Sequence, residues 1–260
     1  MAESKKIGPV SFLIRFILGF TWLGFWSLSC MTLMLLALPF RSWRVKIGNF
    51  CGKIIGPVVS RLVGAKVINP DSNKLKNSTP AIFVTNHSSA LDVFICMGLC
   101  PYGGCGVGKK EVIKIPFFGQ AYWLSGHLLI DRGNNAKAID SMAKLSNFVK
   151  KKNLSIWIWP EGTRSLDGKL IPFKKGFVHL ALATGLPIVP VVLHGANKVW
   201  PAKTMQFYPG EVRVEVLDPI KTDNWTKETI DEHLEEVKGL MACIRLEYSS
   251  LSISQEDTYL

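Results

Sequence analysis

Hydrophobic and polar positions follow two regimes along the chain, and the change falls near residue 70. Residues 16–40 are 25 consecutive uncharged positions bounded by Arg15 and Arg41. At about 1.5 Å per residue, such a helix exceeds a hydrocarbon core of roughly 30 Å. Pro39 interrupts the run, and a second, apolar-basic stretch occupies residues 42–64. From residue 81 onward short apolar runs alternate with longer periodic ones, the signature of strands and helices in an α/β domain. Strands are expected at 81–85, 127–130, 155–159 and 188–193, with 212–216 as an alternating strand at an edge. A helix is expected over 135–151, with Ala136, Ile139, Met142, Ala143, Leu145 and Phe148 on one face. Another runs over 175–184 and ends at Gly185 before Pro187. A terminal helix is marked by the capping-box spacing of Thr229 and Glu232 and by the repeat Ile230, Leu234, Val237, Met241, Ile244. The predicted architecture is an α/β domain with a mixed or mostly parallel sheet flanked by helices, over residues 69–260. Helices that anchor it to a membrane occupy residues 1–68.

The charge sharpens this division. The formal net charge is +11, and residues 1–68 carry nine Lys or Arg against the single acid Glu3. Most of the excess therefore accompanies the apolar end, which points to an anionic membrane surface. No nucleic-acid motif accompanies it, so nucleic acid is not an expected partner. The apolar run is too long for a cleaved signal peptide, whose core spans roughly 7–15 residues. Basic residues on both sides give no orientation. The preferred reading is a two-helix anchor entering one leaflet, with a single spanning helix as the alternative. The six cysteines lack metal-site spacing and read as reduced packing residues, with a Cys100–Cys105 disulfide as the alternative.

Four strings carry candidate chemistry, and each alone has an ordinary explanation. In Asn86-His87-Ser88-Ser89-Ala90-Leu91-Asp92, a His at a strand-to-helix turn is followed by an acid that can orient it and favour its protonated form. A structural hydrogen bond or helix-start acid would look the same. Gly126-His127-Leu128-Leu129-Ile130-Asp131-Arg132 ends a strand in a charged pair, where Arg132 can bind phosphate or Asp131 can form a surface salt bridge. In Trp159-Pro160-Glu161-Gly162-Thr163-Arg164-Ser165, Gly162 permits an unusual turn, Arg164 offers a planar fork of donors, and Thr163 and Ser165 can donate. Lys174 or Lys175 adds charge, and a phosphomonoester is the matching ligand. An ordinary polar turn is the alternative. Residues 186–192 form a rigid apolar strand containing Pro190, suited to wall an acyl chain or to pack a core.

In this order the strings resemble the glycerophospholipid acyltransferase family, specifically its bacterial 1-acylglycerol-3-phosphate branch. The likeness covers roughly residues 75–200 and includes Pro116-Phe117-Phe118-Gly119 and Phe173-Lys174-Lys175-Gly176. It implies one acyltransferase-type domain in which His87 deprotonates the acceptor hydroxyl, Asp92 orients His87, and the hydroxyl attacks an acyl thioester directly. It further implies an acceptor-phosphate site of Glu161, Gly162, Thr163 and Arg164 with Arg132; Ser165 and Lys174 join on their own chemistry, and Pro190 marks the acyl-side strand. The co-substrate would be acyl-coenzyme A or an acylated carrier protein, with no other cofactor and no metal. Partners would be lysophosphatidate and membrane phospholipid, and the location a bacterial inner membrane with the active site on its cytoplasmic face. Another lysophospholipid or lyso-aminolipid acceptor is the alternative, and a non-catalytic lipid-binding protein stands further off. Ser88 and Ser89 are assigned structural roles, because the chain contains no G-x-S-x-G string.

Overall fold

In the computed structural model, which describes residues 5–131 and 133–257, the most apolar short runs of the sequence form the middle of one seven-stranded sheet. The strands are β1 (Ala65–Ile68), β2 (Ile82–Thr85), β3 (Gly104–Lys109), β4 (Leu128–Ile130), β5 (Ser155–Ile158), β6 (Ile188–His194) and β7 (Gly210–Val216), in spatial order β1-β7-β6-β2-β5-β3-β4. All neighbours are parallel except β6 and β7. Every residue of β2, β5 and β6 is buried. Strands covered on both faces need no polar alternation, which explains their continuous apolar character.

Parallel neighbours require crossovers, and helices supply them. They are α1 (Pro9–Leu36), α2 (Arg41–Leu62), α3 (Ser72–Asn77), α4 (Leu91–Leu99), α5 (Phe118–Leu124), α6 (Asn135–Lys152), α7 (Gly176–Thr184), α8 (Ala196–Val199) and α9 (Ile230–Asp257). Alternate strand residues feed two cores. Phe83, Trp157, Val189 and Val191 point to one face and meet Leu91, Ile95 and Cys96 of α4. Ile82, Val84, Ile156, Ile158, Ile188 and Val192 point to the other and meet α6, α7 and α9 through Leu145, Val149, Phe177, Leu180, Val237 and Met241. The Phe83 and Trp157 rings stack with centroids 5.2 Å apart.

Several elements differ from the sequence expectation for identifiable reasons. β7 is not at an edge, because β1 pairs with its outer side. β1 is part of the sheet, so the division at 68/69, directly after this strand, would group it with the helices; the seam between helices and sheet lies near Val63. β3 was not anticipated, for three glycines in six residues give no strand pattern. Two of them admit the Tyr122 ring, since a Cβ on Gly106 would sit 2.6 Å from its hydroxyl and one on Gly108 3.3 Å from the ring, and Gly104 lies against the Cys100 sulfur. On α6 the buried positions are Leu145, Ser146 and Val149, whereas Ile139 is exposed. All six cysteines are unbridged, and only Cys243 is exposed.

The two N-terminal helices are not equivalent. α1 buries Leu23, Gly24, Ser27, Cys30 and Met34, spaced as one helical face, against Cys51, Ile55 and Val59 of α2. Its remaining circumference exposes Leu13, Ile17, Leu28 and Leu36, among others. By length and composition α1 alone, among the described residues, reaches across a membrane. α2 is instead part of the domain. A Cβ on Gly52 would lie 3.0 Å from the Met97 carbonyl, and Gly56 abuts the Phe94 carbonyl and Gly98 on α4. Only small residues permit backbones to approach this closely.

Candidate active site

β2 ends at Thr85 and the chain turns through residues 86–90 into α4. Asn86 fixes the turn to the end of β6: its Nδ2 donates to the Leu193 carbonyl (3.0 Å) and its Oδ1 accepts the Leu193 N–H (2.8 Å). Asp92, in the first turn of α4, folds back onto the residues before it. Its Oδ2 accepts the N–H groups of Ser88 (2.7 Å) and Ser89 (2.8 Å) and lies 3.0 Å from His87 Nδ1. Asp92 is completely buried and the His87 side chain is 15% exposed. Two backbone amides at the start of α4 thus hold this oxygen in place beside the imidazole. The Nδ1 contact to a carboxylate implies the tautomer with the proton on Nδ1, leaving Nε2 on the far side of the ring as acceptor. Ser89 is committed elsewhere, donating to the Trp200 carbonyl at 2.6 Å and accepting the Leu91 N–H at 3.1 Å.

The loop after β5 covers this turn. The His87 N–H donates to Glu161 Oε1 (2.5 Å), the Ser165 N–H donates to the His87 carbonyl (2.8 Å), and the Trp159 ring lies 5.2 Å from the imidazole. Glu161 Oε2 accepts the Ile171 N–H at 3.1 Å. The residue is only 2% exposed. Burial raises its pKa to about 7, outweighing the two amides that favour the ionised form; Asp92 adds to the rise and Arg245 opposes it. Glu161 is thus directed at backbone amides, and its place in the site is that of a clamp between the two loops. Direct contact with an anionic phosphate would add repulsion.

The remaining expected residues separate by exposure. Thr163, Arg164 and Lys174 are exposed beyond the carboxyl end of β5. Gly162 has φ +71°, and a Cβ there would lie 3.0 Å from Lys174 Cε, so the absence of a side chain admits the lysine stem. Lys175 is paired with Asp231 at 2.7 Å. Lys174 is therefore the lysine available beside Gly162. Ser165 is buried and its hydroxyl donates to Asp167 Oδ1 (2.9 Å), a bond within the loop. Asp131 pairs with Lys110 at 2.8 Å, and Arg132 lies outside the described residues. Pro190 is buried within β6 opposite Val84, its carbonyl accepting the Leu217 N–H at 2.9 Å. It does not line the apolar cavity of about 110 Å³ that Phe20, Leu23, Val59, Phe94, Trp200 and Phe207 border on the other side of α4. Trp200, which borders this cavity, accepts the Ser89 hydroxyl at 2.6 Å through its carbonyl, so the cavity adjoins the 86–92 turn.

Sequence reasoning missed Arg245 on α9. Its guanidinium donates to the Leu193 carbonyl at 3.0 Å, the same oxygen that Asn86 holds, and to the Gly168 carbonyl. Its positive charge acts on both Glu161 and Asp92. One cation thus ties the terminal helix to both site loops. The only sequence signal was a cation directly after a core position, Ile244, of an amphipathic helix. The other buried histidines, His127 and His194, are each pushed down to about 4 by burial and neighbouring arginines. Among the described residues no group of three or more His, Cys, Asp or Glu is arranged to hold a metal ion.

Comparison with known proteins identifies the family. The family described as Acyltransferase matches residues 66–194. A 1-acyl-sn-glycerol-3-phosphate acyltransferase of Limnanthes alba is 45% identical over 208 residues, covering 80% of this chain and 73% of the relative. The chain belongs to the acyltransferase family. A bacterial member with the same name, from Escherichia coli K12, is 39% identical over 181 residues, covering 69% of this chain and 73% of its own length. Relatives thus come from plants as well as bacteria. The crystal structure of the 1-acyl-sn-glycerophosphate (LPA) acyltransferase PlsC from Thermotoga maritima superposes with a TM-score of 0.76 at 23% identity, covering 92% of this chain and 95% of that one. It shares the fold.

Proposed function

We propose that this acyltransferase moves a fatty acyl group from a thioester to the free sn-2 hydroxyl of 1-acylglycerol 3-phosphate, forming phosphatidate. The observation that carries the reading is the buried Asp92 held 3.0 Å from His87 Nδ1 beneath a loop that presents Arg164, Thr163 and Lys174. His87 Nε2 accepts the hydroxyl proton as the oxygen attacks the thioester carbonyl carbon. The tetrahedral intermediate collapses with cleavage of the C–S bond, and the thiolate takes the proton back from His87. Asp92 stabilises the imidazolium between these steps and keeps Nε2 aimed outward. No acyl-enzyme forms, and the scheme uses no metal ion or further cofactor. Arg164, Thr163 and Lys174 hold the acceptor phosphate, with Arg132 expected to assist. The apolar cavity beside Phe94 suits part of an acyl chain. Acyl-coenzyme A and acylated carrier protein both fit as donor.

For location, the reading is a membrane surface with the active site on its cytoplasmic face, the inner membrane in a bacterial cell. α1 packs one face along α2 and exposes the other, which favours a helix lying in one leaflet over an independent span. The test is acyl transfer by the purified protein to lysophosphatidate, beside other lysolipids and glycerol 3-phosphate. Phosphatidate formation lost in His87→Ala is the expected result. Transfer confined to another lysolipid would move the enzyme to a different acceptor, and no transfer to any of them would reject the reading.

A further inference from the structure

At the α1–α2 turn a cavity of about 360 Å³ is lined by Leu38, Arg41, Arg44, Trp123, Gly126 and His127. It lies far from the catalytic turn. His87 follows the carboxyl end of β2, whereas Gly126 and His127 precede the amino end of β4, a parallel strand three places away at the sheet edge. Arg41 donates through Nε and Nη2 to the Gly126 carbonyl (3.0 and 2.7 Å), and Arg44 Nη1 donates to the Leu124 carbonyl. Phe148 supports the Arg41 guanidinium, whose carbon lies 4.1 Å from the ring centroid. The two cations are thus fixed in place by neutral partners, and Arg44 Nε is buried without a hydrogen-bond partner.

The surroundings contain cations and no anion to neutralise them. α1, α2, α5 and β4 contain no Asp or Glu. The acids of neighbouring α6 and the loop before it, Asp140 and Asp131, are paired with Lys144 and Lys110. Burial and the adjacent Arg41 both disfavour the charged form of Arg44. His127 is neutral near pH 7, and its Nδ1 accepts the Gly106 N–H at 3.2 Å, so its remaining proton is on Nε2. The first turn of α2 has no acidic residue and no side-chain cap, so its orphan amides add to the positive field. Around the mouth, Leu38 and Trp123 are each more than half exposed. A soluble anion has no use for that apolar rim. A membrane lipid presents a phosphate directly above apolar chains, and Trp is the side chain favoured at that boundary.

We propose that the Arg41–Arg44 cavity binds the phosphate of an anionic membrane phospholipid that is neither acyl donor nor acceptor, seating the α1–α2 turn at the headgroup level. The idea stands independently of the reaction, because its readout is lipid retention. Full-length protein in neutral detergent is offered phosphatidylglycerol against excess phosphatidylcholine, and retained lipid is counted by native mass spectrometry. Wild type should keep one phosphatidylglycerol per chain. Arg41→Gln with Arg44→Gln should weaken retention roughly ten- to thirtyfold. Lys150→Gln with Lys151→Gln, an equal loss of charge elsewhere, should leave it unchanged. Leu38→Glu keeps the guanidinium–carbonyl bonds, sets an acid at the mouth and should abolish retention, so the idea stays testable if the double variant does not fold. Equal retention of both lipids by wild type, or unchanged retention in the cavity variants, would overturn it. So would displacement of the lipid by equimolar acyl-coenzyme A or inorganic phosphate, which would make the ligand a donor phosphate or a free ion.

Discussion

The two loops that meet at His87 are held in opposite ways. In the 86–92 turn the Asp92 contacts are local: its Oδ2 meets the Ser88 N–H, the Ser89 N–H and His87 Nδ1, all within five residues of itself, while the Asn86 and Ser89 side chains reach out, to Leu193 and Trp200. The 159–168 loop is held from afar. Glu161 reaches back 74 residues to His87, and Gly168 and the end of β6 are fixed by Arg245 from the terminal helix. The proposed catalytic pair is therefore joined within its own turn, while the proposed phosphate-facing side depends on the packing of the entire domain. Changes to the first should act on chemistry with little effect on folding. Changes to the second should affect stability and turnover together.

The largest expected effect falls on the local turn. His87→Ala removes the proposed general base, and kcat should drop by about 10²–10⁴-fold with the fold retained. Asp92→Asn should cost about a hundredfold or more, because the neutral amide can still accept the Ser88 and Ser89 N–H groups but no longer stabilises the imidazolium that forms when His87 takes a proton. Acyl-transfer kinetics beside circular dichroism check both. Lost activity accompanied by unfolding would contradict the local character of this turn.

Arg245→Met attacks the distant support. It leaves Glu161 and Asp92 without their shared cation, and removing one member of such a buried charge group costs about 3–5 kcal/mol. A fall in kcat of about tenfold, equivalent to about 1.4 kcal/mol in barrier, should accompany it. Arg245→Lys should recover part of both, since a lysine keeps the charge but cannot bridge two carbonyls as a planar fork does. Thermal unfolding and kcat at one pH measure the pair. Unchanged values for Arg245→Met would mean that the loop is held without α9.

The same contrast explains what the sequence made legible. His87 and Asp92 were recognisable because their interaction closes within one turn, so spacing alone carries the geometry. The buried strands β2, β5 and β6 announced themselves by continuous apolar runs. β3 did not, because two of its three glycines answer to Tyr122, a residue on a later helix, and the third to Cys100. β1 was absorbed into the basic, apolar N-terminal region since its four residues have no pattern apart from their pairing with β7, over 140 residues away. Glu161 was placed in the right loop, but the direction of its carboxylate depends on where the His87 amide ends up in three dimensions. Arg245 was invisible for the same reason.

Glu161→Gln gives a smaller, pH-dependent test. The folded protein holds the Glu161 proton up to about pH 7, whereas an unfolded chain releases it near the ordinary value of about 4.5. Between these values the unfolded state binds fewer protons, so this group's contribution to stability is complete below about 4.5 and is lost as pH rises through about 7. The variant lacks that loss. Wild-type stability relative to Glu161→Gln should therefore decline from pH 5 to pH 8, by no more than about 3 kcal/mol. Parallel profiles of Tm against pH would show that the carboxyl does not titrate in this window.

Gly162→Ala should have the smallest effect and tests the junction of the two loops directly. At φ +71° an alanine is strained by about 1–2 kcal/mol, and its Cβ would lie 3.0 Å from Lys174 Cε. A lysine stem is flexible, so the loop need not unfold; the ammonium moves instead. If Lys174 contacts the acceptor phosphate, the KM for lysophosphatidate should rise a few-fold while kcat is nearly unchanged, since the His87–Asp92 pair is untouched. Glycerol 3-phosphate should compete less well to the same extent, because it presents the same phosphomonoester. A fall in kcat at constant KM would instead mean that strain at residue 162 passes through the Glu161–His87 amide bond. The distant support would then set the position of the base as well as the grip on the acceptor.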